Sequence, residues 1–162
     1  MNESFEIRRV DYHSKTEGEA LIHLLKLYAL DPMGGGEALP PWTCENLCTE
    51  LAKYPFASSF MAWQAQEPIG LVNCFETLST FKALPLINIH DLVVHPLHRG
   101  RGVAQALIEQ VQRFALQRGC CKLTLEVLSL NSKAMGLYRH LGFVPYELDK
   151  EHGQAIFLQK WL

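Results

Sequence analysis

The sequence predicts an α/β protein with a mixed, mostly antiparallel central sheet that carries one parallel strand pair, with helices on both faces. Three observations predict it. Short runs alternate with period two, as in residues 122–127, where Leu123, Leu125 and Val127 share a face. Between such runs lie stretches of helical spacing, as in Val103, Leu107, Val111 and Phe114. Residues 86–127 read as strand, helix, strand, which closes as a right-handed parallel crossover. The runs flanking Gln66-Glu67-Pro68 instead read as an antiparallel hairpin.

In chain order, residues 5–10 alternate as a first strand. Residues 16–30 place Ala20, Leu21, Leu24, Leu25, Tyr28 and Ala29 on one helical face. Asp31-Pro32-Met33 and Gly34-Gly35-Gly36 break that helix. Three successive glycines lose much backbone freedom on ordering, so a mobile loop is expected. Residues 42–54 read as a second helix with Thr43 as its N-cap. Strands over 60–65 and 69–75 follow, then a polar and aromatic connector over 77–83. A strand over 86–94 leads into a helix over 102–118 that Gly119 stops. After the strand over 122–127 comes a helix over 131–141 closed by Gly142. Two last strands, near 143–148 and 155–162, flank a turn at Glu151-His152-Gly153. The order is β-α-α-β-β-β-α-β-α-β-β, and no internal repeat or linker divides residues 1–162, so one domain is expected.

Composition limits the function classes. The chain has 162 residues, 48% of them hydrophobic and 20% charged, the balance of a globular protein. A net charge of −2 gives no general attraction to nucleic acid or to an anionic membrane. There is no apolar run near membrane-spanning length and no signal-peptide pattern at the start, so a cytoplasmic protein is expected. The five cysteines include no Cys-x-x-Cys and are odd in number, which favours reduced packing residues over a disulfide framework.

The most informative stretch runs from Asp91 to Leu107. An apolar strand ends at Pro96, the basic turn Arg99-Gly100-Arg101-Gly102 follows, and an amphipathic helix begins. The first N–H groups of a helix have no intrahelical acceptor and point outward at its positive end. Glycines let a ligand approach that backbone, and two arginines add charge. This is an anion site suited to a pyrophosphate. A dinucleotide-binding fingerprint does not fit, because Gln105 stands where the third glycine belongs. Nor is there the Gly-Lys-Ser/Thr of a P-loop. His90, His95 and His98 are spaced unlike a helical or hairpin ligand pair and have no neighbouring cysteine, so no metal site is expected.

These residues resemble the GNAT superfamily of acyl-CoA-dependent N-acetyltransferases. The family's Arg/Gln-x-x-Gly-x-Gly/Ala signature is met by Arg99, Gly102 and Ala104. Its Asn-x-x-Ala-x-x-Leu-Tyr element, with a later Gly-Phe, is met by Asn131, Ala134, Leu137, Tyr138, Gly142 and Phe143. The stretch 88–94 looks most like the diamine (spermidine/thialysine-type) branch, which carries an acidic pair where this chain has His90 and Asp91. The resemblance implies acetyl-CoA as co-substrate, no metal, a homodimer joined near the C-terminal edge, and a parallel strand pair that splays apart. It implies that backbone amides from Arg99 to Ala104, Val103 among them, hold the pyrophosphate. Backbone groups of Leu92, Val93 and Val94 would hold the pantetheine arm, with an N–H near Leu92 or Val93 polarising the thioester. Tyr138 would protonate the departing thiolate, and Asn131 would cap its helix or bond the pantetheine amides.

Deprotonating the amine needs a base, and an imidazole suits that task near neutral pH. His90 is the candidate; on strict alternation it shares a face with Leu92 and Val94, while Asp91 points to the other side. A histidine bonded to a carbonyl is the plainer alternative. Asp91 reads equally as a structural acceptor or as a substrate anchor. Asp31, Glu37, Trp42, Glu76 and Phe81 supply carboxylates and aromatics around the expected acceptor cleft, which suits a small cationic amine. A protein lysine or N-terminal acetyltransferase, or a non-catalytic acyl-CoA sensor, remains open at this stage.

Overall fold

A computed structural model describes residues 4–146 and 155–162. The chain forms two compact units, residues 1–125 and residues 126–162. The first contains a five-stranded sheet in the order β1 (Glu6–Arg9), β2 (Ala57–Gln64), β3 (Glu67–Ser79), β4 (Leu84–Val94) and β5 (Leu123–Leu125). The first three junctions are antiparallel and β4–β5 is parallel. Helices α1 (Lys15–Leu30) and α2 (Pro41–Lys53) lie between β1 and β2 in sequence, and α3 (Val103–Gln117) joins the parallel pair. The second unit contains α4 (Ser132–His140). The mixed sheet with one parallel pair is the one the alternation and the crossover predict.

Alternation sorts the two faces of the sheet. Ala57, Met61, Trp63, Leu71 and Val93 point one way, into a buried cluster with α1 and with Leu51 of α2. On the opposite face α3 lies so close to β3 that a Cβ on Gly70 would come within 2.8 Å of Val103. There Phe114 meets Phe60 edge-on at 5.4 Å.

Local chemistry moves several expected boundaries. Ser14 caps α1 by accepting the Glu17 N–H. Helix α2 begins at Pro41, not after Thr43, and no side chain caps it. Proline's fixed φ and missing N–H suit a first helical position. The hairpin turns on Ala65 and Gln66, both at positive φ, and Glu67 and Pro68 already belong to β3. Because Pro68 has no N–H to give the ladder, the pairing shifts register there. The first three residues of the expected connector are strand, since β3 runs through Thr77 to Ser79, and residues 80–83 form the turn. The glycine segment is not featureless: Pro32–Gly34 form a 3₁₀ turn. Asp31 O accepts from Gly34 and Gly36, and Ala29 O from Glu37. Cys121 is exposed, contrary to the expectation that all five cysteines pack; all five are free thiols.

The two expected C-terminal strands do not form in the described residues. Residues 143–146 and 155–162 pair with no strand, and a strand without a ladder partner leaves its backbone groups to water. The turn at 151–153 and the end of the 143–148 segment lie outside the described residues.

Candidate active site

Helix α3 starts where the sequence places the anion site. Gly100 and Gly102 both have positive φ, at 76° and 81°, a region that other L-residues enter only with strain. The first intrahelical bond runs from Ala106 N to Gly102 O. The amides of Val103, Ala104 and Gln105 therefore have no acceptor within the helix. Gly102 is the N-cap and has no side chain to cap that end, whereas Asn131 Oδ1 caps α4 by accepting Ala134 N at 3.2 Å. Beside this terminus, Arg99 donates Nε to Val94 O at 3.2 Å. Its other arm meets Asp31 Oδ2 at 2.9 Å.

The strand leading into this turn has an open edge. Pairing of β4 with β5 covers only Ile87–Ile89, while β4 continues to Val94 without a further strand partner on that side among the described residues. His95 N donates inward, to Ile69 O of β3. Amide directions alternate along a strand, so Val93 N–H also points toward β3 and those of Leu92 and Val94 point to the open edge. The Arg99 bond to Val94 O fits this parity.

The register corrects the reading of His90. Asn73 pairs with Asp91, but the next β3 residue, Cys74, pairs with Ile89. His90 is the extra residue of a β-bulge, which breaks the strict alternation assumed for the strand. Asp91, paired directly with Asn73, shares its face, opposite Leu92 and Val94, as expected. The exposed His90 meets Phe75 edge-on at 5.4 Å, and Phe75 packs against the α1–α2 cluster. His90 and Asp91 thus sit together on the α1 side, whereas Leu92 and Val94 pair with Val72 and Gly70.

Behind Asp91 runs a buried polar chain that the sequence reading missed. Tyr12 Oη and Ser59 Oγ are 2.8 Å apart, Ser59 Oγ donates to Asn73 Oδ1 at 2.6 Å, and Asn73 Nδ2 donates to Asp91 Oδ2 at 2.9 Å. An Asn inside the apolar run 69–75 was the available signal. Burial raises the Tyr28 phenol above its ordinary value, and the charges of Asp91 and then Asp31 raise it further. The Tyr28 hydroxyl at the end of α1 thus feels the charge of both carboxylates.

The other acceptor-side candidates do not gather there. The Asp31 carboxylate is engaged: Met33 N–H and Arg99 together hold it below the usual carboxylate range. Glu76 forms a two-point ion pair with Arg118, which lowers its pKa. It is in register with Ile87, on the face away from Phe75. Glu37 is exposed, and Trp42 and Phe81 are 64% and 90% exposed. In the second unit, the Tyr138 ring meets Phe143 edge-on at 5.8 Å. An open groove of about 520 Å³ between α1 and α2 is lined by Tyr12, Gly18, Ile22, His23, Cys44 and Cys48 among others, but by no predicted site residue.

Three thiols have raised pKa values. Burial pushes Cys74 up to about 12, helped by the charge of Asp91. Burial likewise raises Cys48 and Cys120. None of these three is an activated nucleophile. His95 stacks near His23 and meets His98, with centroids 6.3 and 5.6 Å apart. No group of three metal-capable side chains converges among the described residues. No described helix is long and apolar enough to cross a membrane.

A sheet that opens beside an uncapped, arginine-flanked helix start defines an acyl-CoA N-acyltransferase architecture. The model of the Acetyltransferase (GNAT) family matches residues 21–143, and the chain belongs to that family. It is 43% identical over 56 residues to a thialysine N-epsilon-acetyltransferase of Bos taurus, a match covering 35% of this chain and 33% of that protein. It is 40% identical over 63 residues to a streptothricin acetyltransferase of Streptomyces lavendulae, covering 39% and 33% respectively. The chain thus spans about a third of the length of these curated relatives. Its fold is similar to that of an aminoglycoside N-acetyltransferase in complex with the bisubstrate analog CoA-S-monomethyl-acetylneamine. That likeness has a TM-score of 0.77 and 23% identity and covers 98% of this chain and 99% of the other.

Proposed function

We propose that the chain, acting as one domain, transfers the acetyl group of acetyl-CoA to a primary amine of a small cationic molecule. The observation that carries this reading is the juxtaposition, within one unit, of the uncapped α3 start and the open edge of β4, bridged by Arg99. Amides from Arg99 to Ala104 would hold the pyrophosphate. Leu92 and Val94 would hold the pantetheine arm as an added strand, and the Leu92 N–H would polarise the thioester oxygen. A donor of this kind is typically worth about 3 kcal/mol of barrier.

Asp91 attracts the protonated amine and His90 removes its proton, leaving a neutral nitrogen. That nitrogen attacks the thioester carbon, the C–S bond breaks, and Tyr138 protonates the departing sulfur. The high pKa of Cys74 supports direct attack in a ternary complex over an acyl-cysteine intermediate. The thialysine and streptothricin enzymes named above support an amine acceptor, and Asp91 beside Tyr28 supports a cationic one. Cytoplasmic residence and a homodimer complete the proposal; the exposed apolar residues Ile156, Phe157 and Trp161 support a contact there. Free-thiol release from acetyl-CoA across a panel of diamines, aminoglycosides, neutral amines and lysine peptides tests the reading. Turnover with small cationic amines is expected. Turnover with peptides alone, or with none, overturns it.

A further inference from the structure

We propose that Asn73 and Ser59 are positioning residues that fix the direction of the Asp91 carboxylate toward a cationic acceptor. The proposal rests on the reading that Asp91 anchors the amine. Asn73 is 4% exposed and Ser59 is 1% exposed, so each polar group must find its partners inside the protein.

Proton counting sets the direction of the chain. Ser59 has one hydroxyl hydrogen and gives it to Asn73 Oδ1, so the Tyr12 hydroxyl must donate to Ser59. Asn73 Oδ1 therefore faces Ser59, and its Nδ2 faces Asp91 Oδ2. Every donor points toward the carboxylate. The chain does not shuttle protons, because an amide N–H is a hydrogen-bond donor and not an acid at neutral pH. What it provides is orientation.

Its position strengthens the argument. The register shift falls between Asn73 and Cys74, immediately beside the Asn73–Asp91 pair. The bulge brings His90 to the α1 face beside Asp91, and the Asn73 amide holds the Asp91 rotamer there. A carboxylate held in one direction selects where the cationic nitrogen sits, at little further ordering cost on binding. Asn73, remote from solvent, is thereby a determinant of acceptor specificity.

Steady-state kinetics with the best cationic acceptor test this, on wild type, Asp91→Ala, Asn73→Ala, Ser59→Ala and the two doubles with Asp91→Ala. Losing a hydrogen bond to a charged group predicts an acceptor KM raised about tenfold in Asn73→Ala, with acetyl-CoA KM unchanged. Ser59→Ala, which deletes only a hydroxyl, predicts about a threefold rise and serves if Asn73→Ala does not fold. Neither substitution should change the acceptor KM further once Asp91 is Ala. Equal increases in both KM values, or effects that simply add to that of Asp91→Ala, overturn the proposal. An acceptor KM unchanged in Asp91→Ala itself refutes the underlying anchor reading instead, and wild-type acetylation of the amine would survive that result.

Discussion

Arg99, proposed to hold the pyrophosphate, is held by Asp31, and on that proposal coenzyme affinity becomes a competition. The Arg99–Asp31 contact is 2.9 Å, with Asp31 side chain 24% and Arg99 52% exposed. An ion pair this wet contributes about 0.2–1 kcal/mol. Replacing Asp31 by Asn keeps the oxygen that accepts Met33 N–H, so the 3₁₀ turn retains its cap, but it removes the competing charge. Returning up to about 1 kcal/mol corresponds to coenzyme A binding roughly two- to fivefold tighter. Calorimetry at low salt should detect the gain, and it should fade near 1 M salt, where the screening length is about 3 Å. In an Arg99→Gln background Asp31→Asn should bring no gain. Unchanged or weaker coenzyme binding by Asp31→Asn at low salt would refute the competition.

The Glu76–Arg118 pair sets a pH dependence. Its carboxyl pKa is depressed when folded, so the pair stabilises the protein above the ordinary glutamate range and loses that contribution as pH falls through the folded value. Glu76→Gln should lower Tm by about 2–4 °C at pH 7 for a contribution of about 1 kcal/mol. The difference should vanish in acid, as a pair of melting curves at each pH would reveal. Tyr138→Phe should keep coenzyme A affinity and lose most turnover; full turnover would remove Tyr138 from the acid role. The rate–pH profile of His90→Ala should lose its acidic limb, because a base must be deprotonated to act; a limb that persists places the base elsewhere.

The fold was legible wherever one local rule governs a segment. Period-two alternation marked β1 and β5, short runs bounded by turn residues marked β2, β3 and β4, and the Gly102 start and Gly119 stop of α3 follow from backbone conformation alone. In the candidate site, the turn at residues 99–104 was legible, because backbone conformation alone makes it. The site was less legible where parity matters. In Ile89-His90-Asp91-Leu92 nothing local announces a bulge, so the alternation was carried through and assigned His90 to the wrong face. Pairings set by topology were also hidden. Asp31 reaches Arg99 across 68 residues and Glu76 reaches Arg118 across 42, so two carboxylates that looked available to substrate are engaged within the protein. The lone Asn73 was a visible irregularity, but its partners lie on two other strands.

The central claim is that main-chain amides at the start of α3 bind a diphosphate while the β4 edge binds the arm attached to it. Isothermal calorimetry comparing coenzyme A with pantetheine, which has the same arm and no diphosphate, tests it most directly. The account predicts measurable coenzyme A binding, weakened by salt, and pantetheine binding at least tenfold weaker, since charge-assisted bonds to the diphosphate contribute about 1.5–3 kcal/mol each. No binding of coenzyme A by folded protein, or equal affinity for the two compounds, would contradict it.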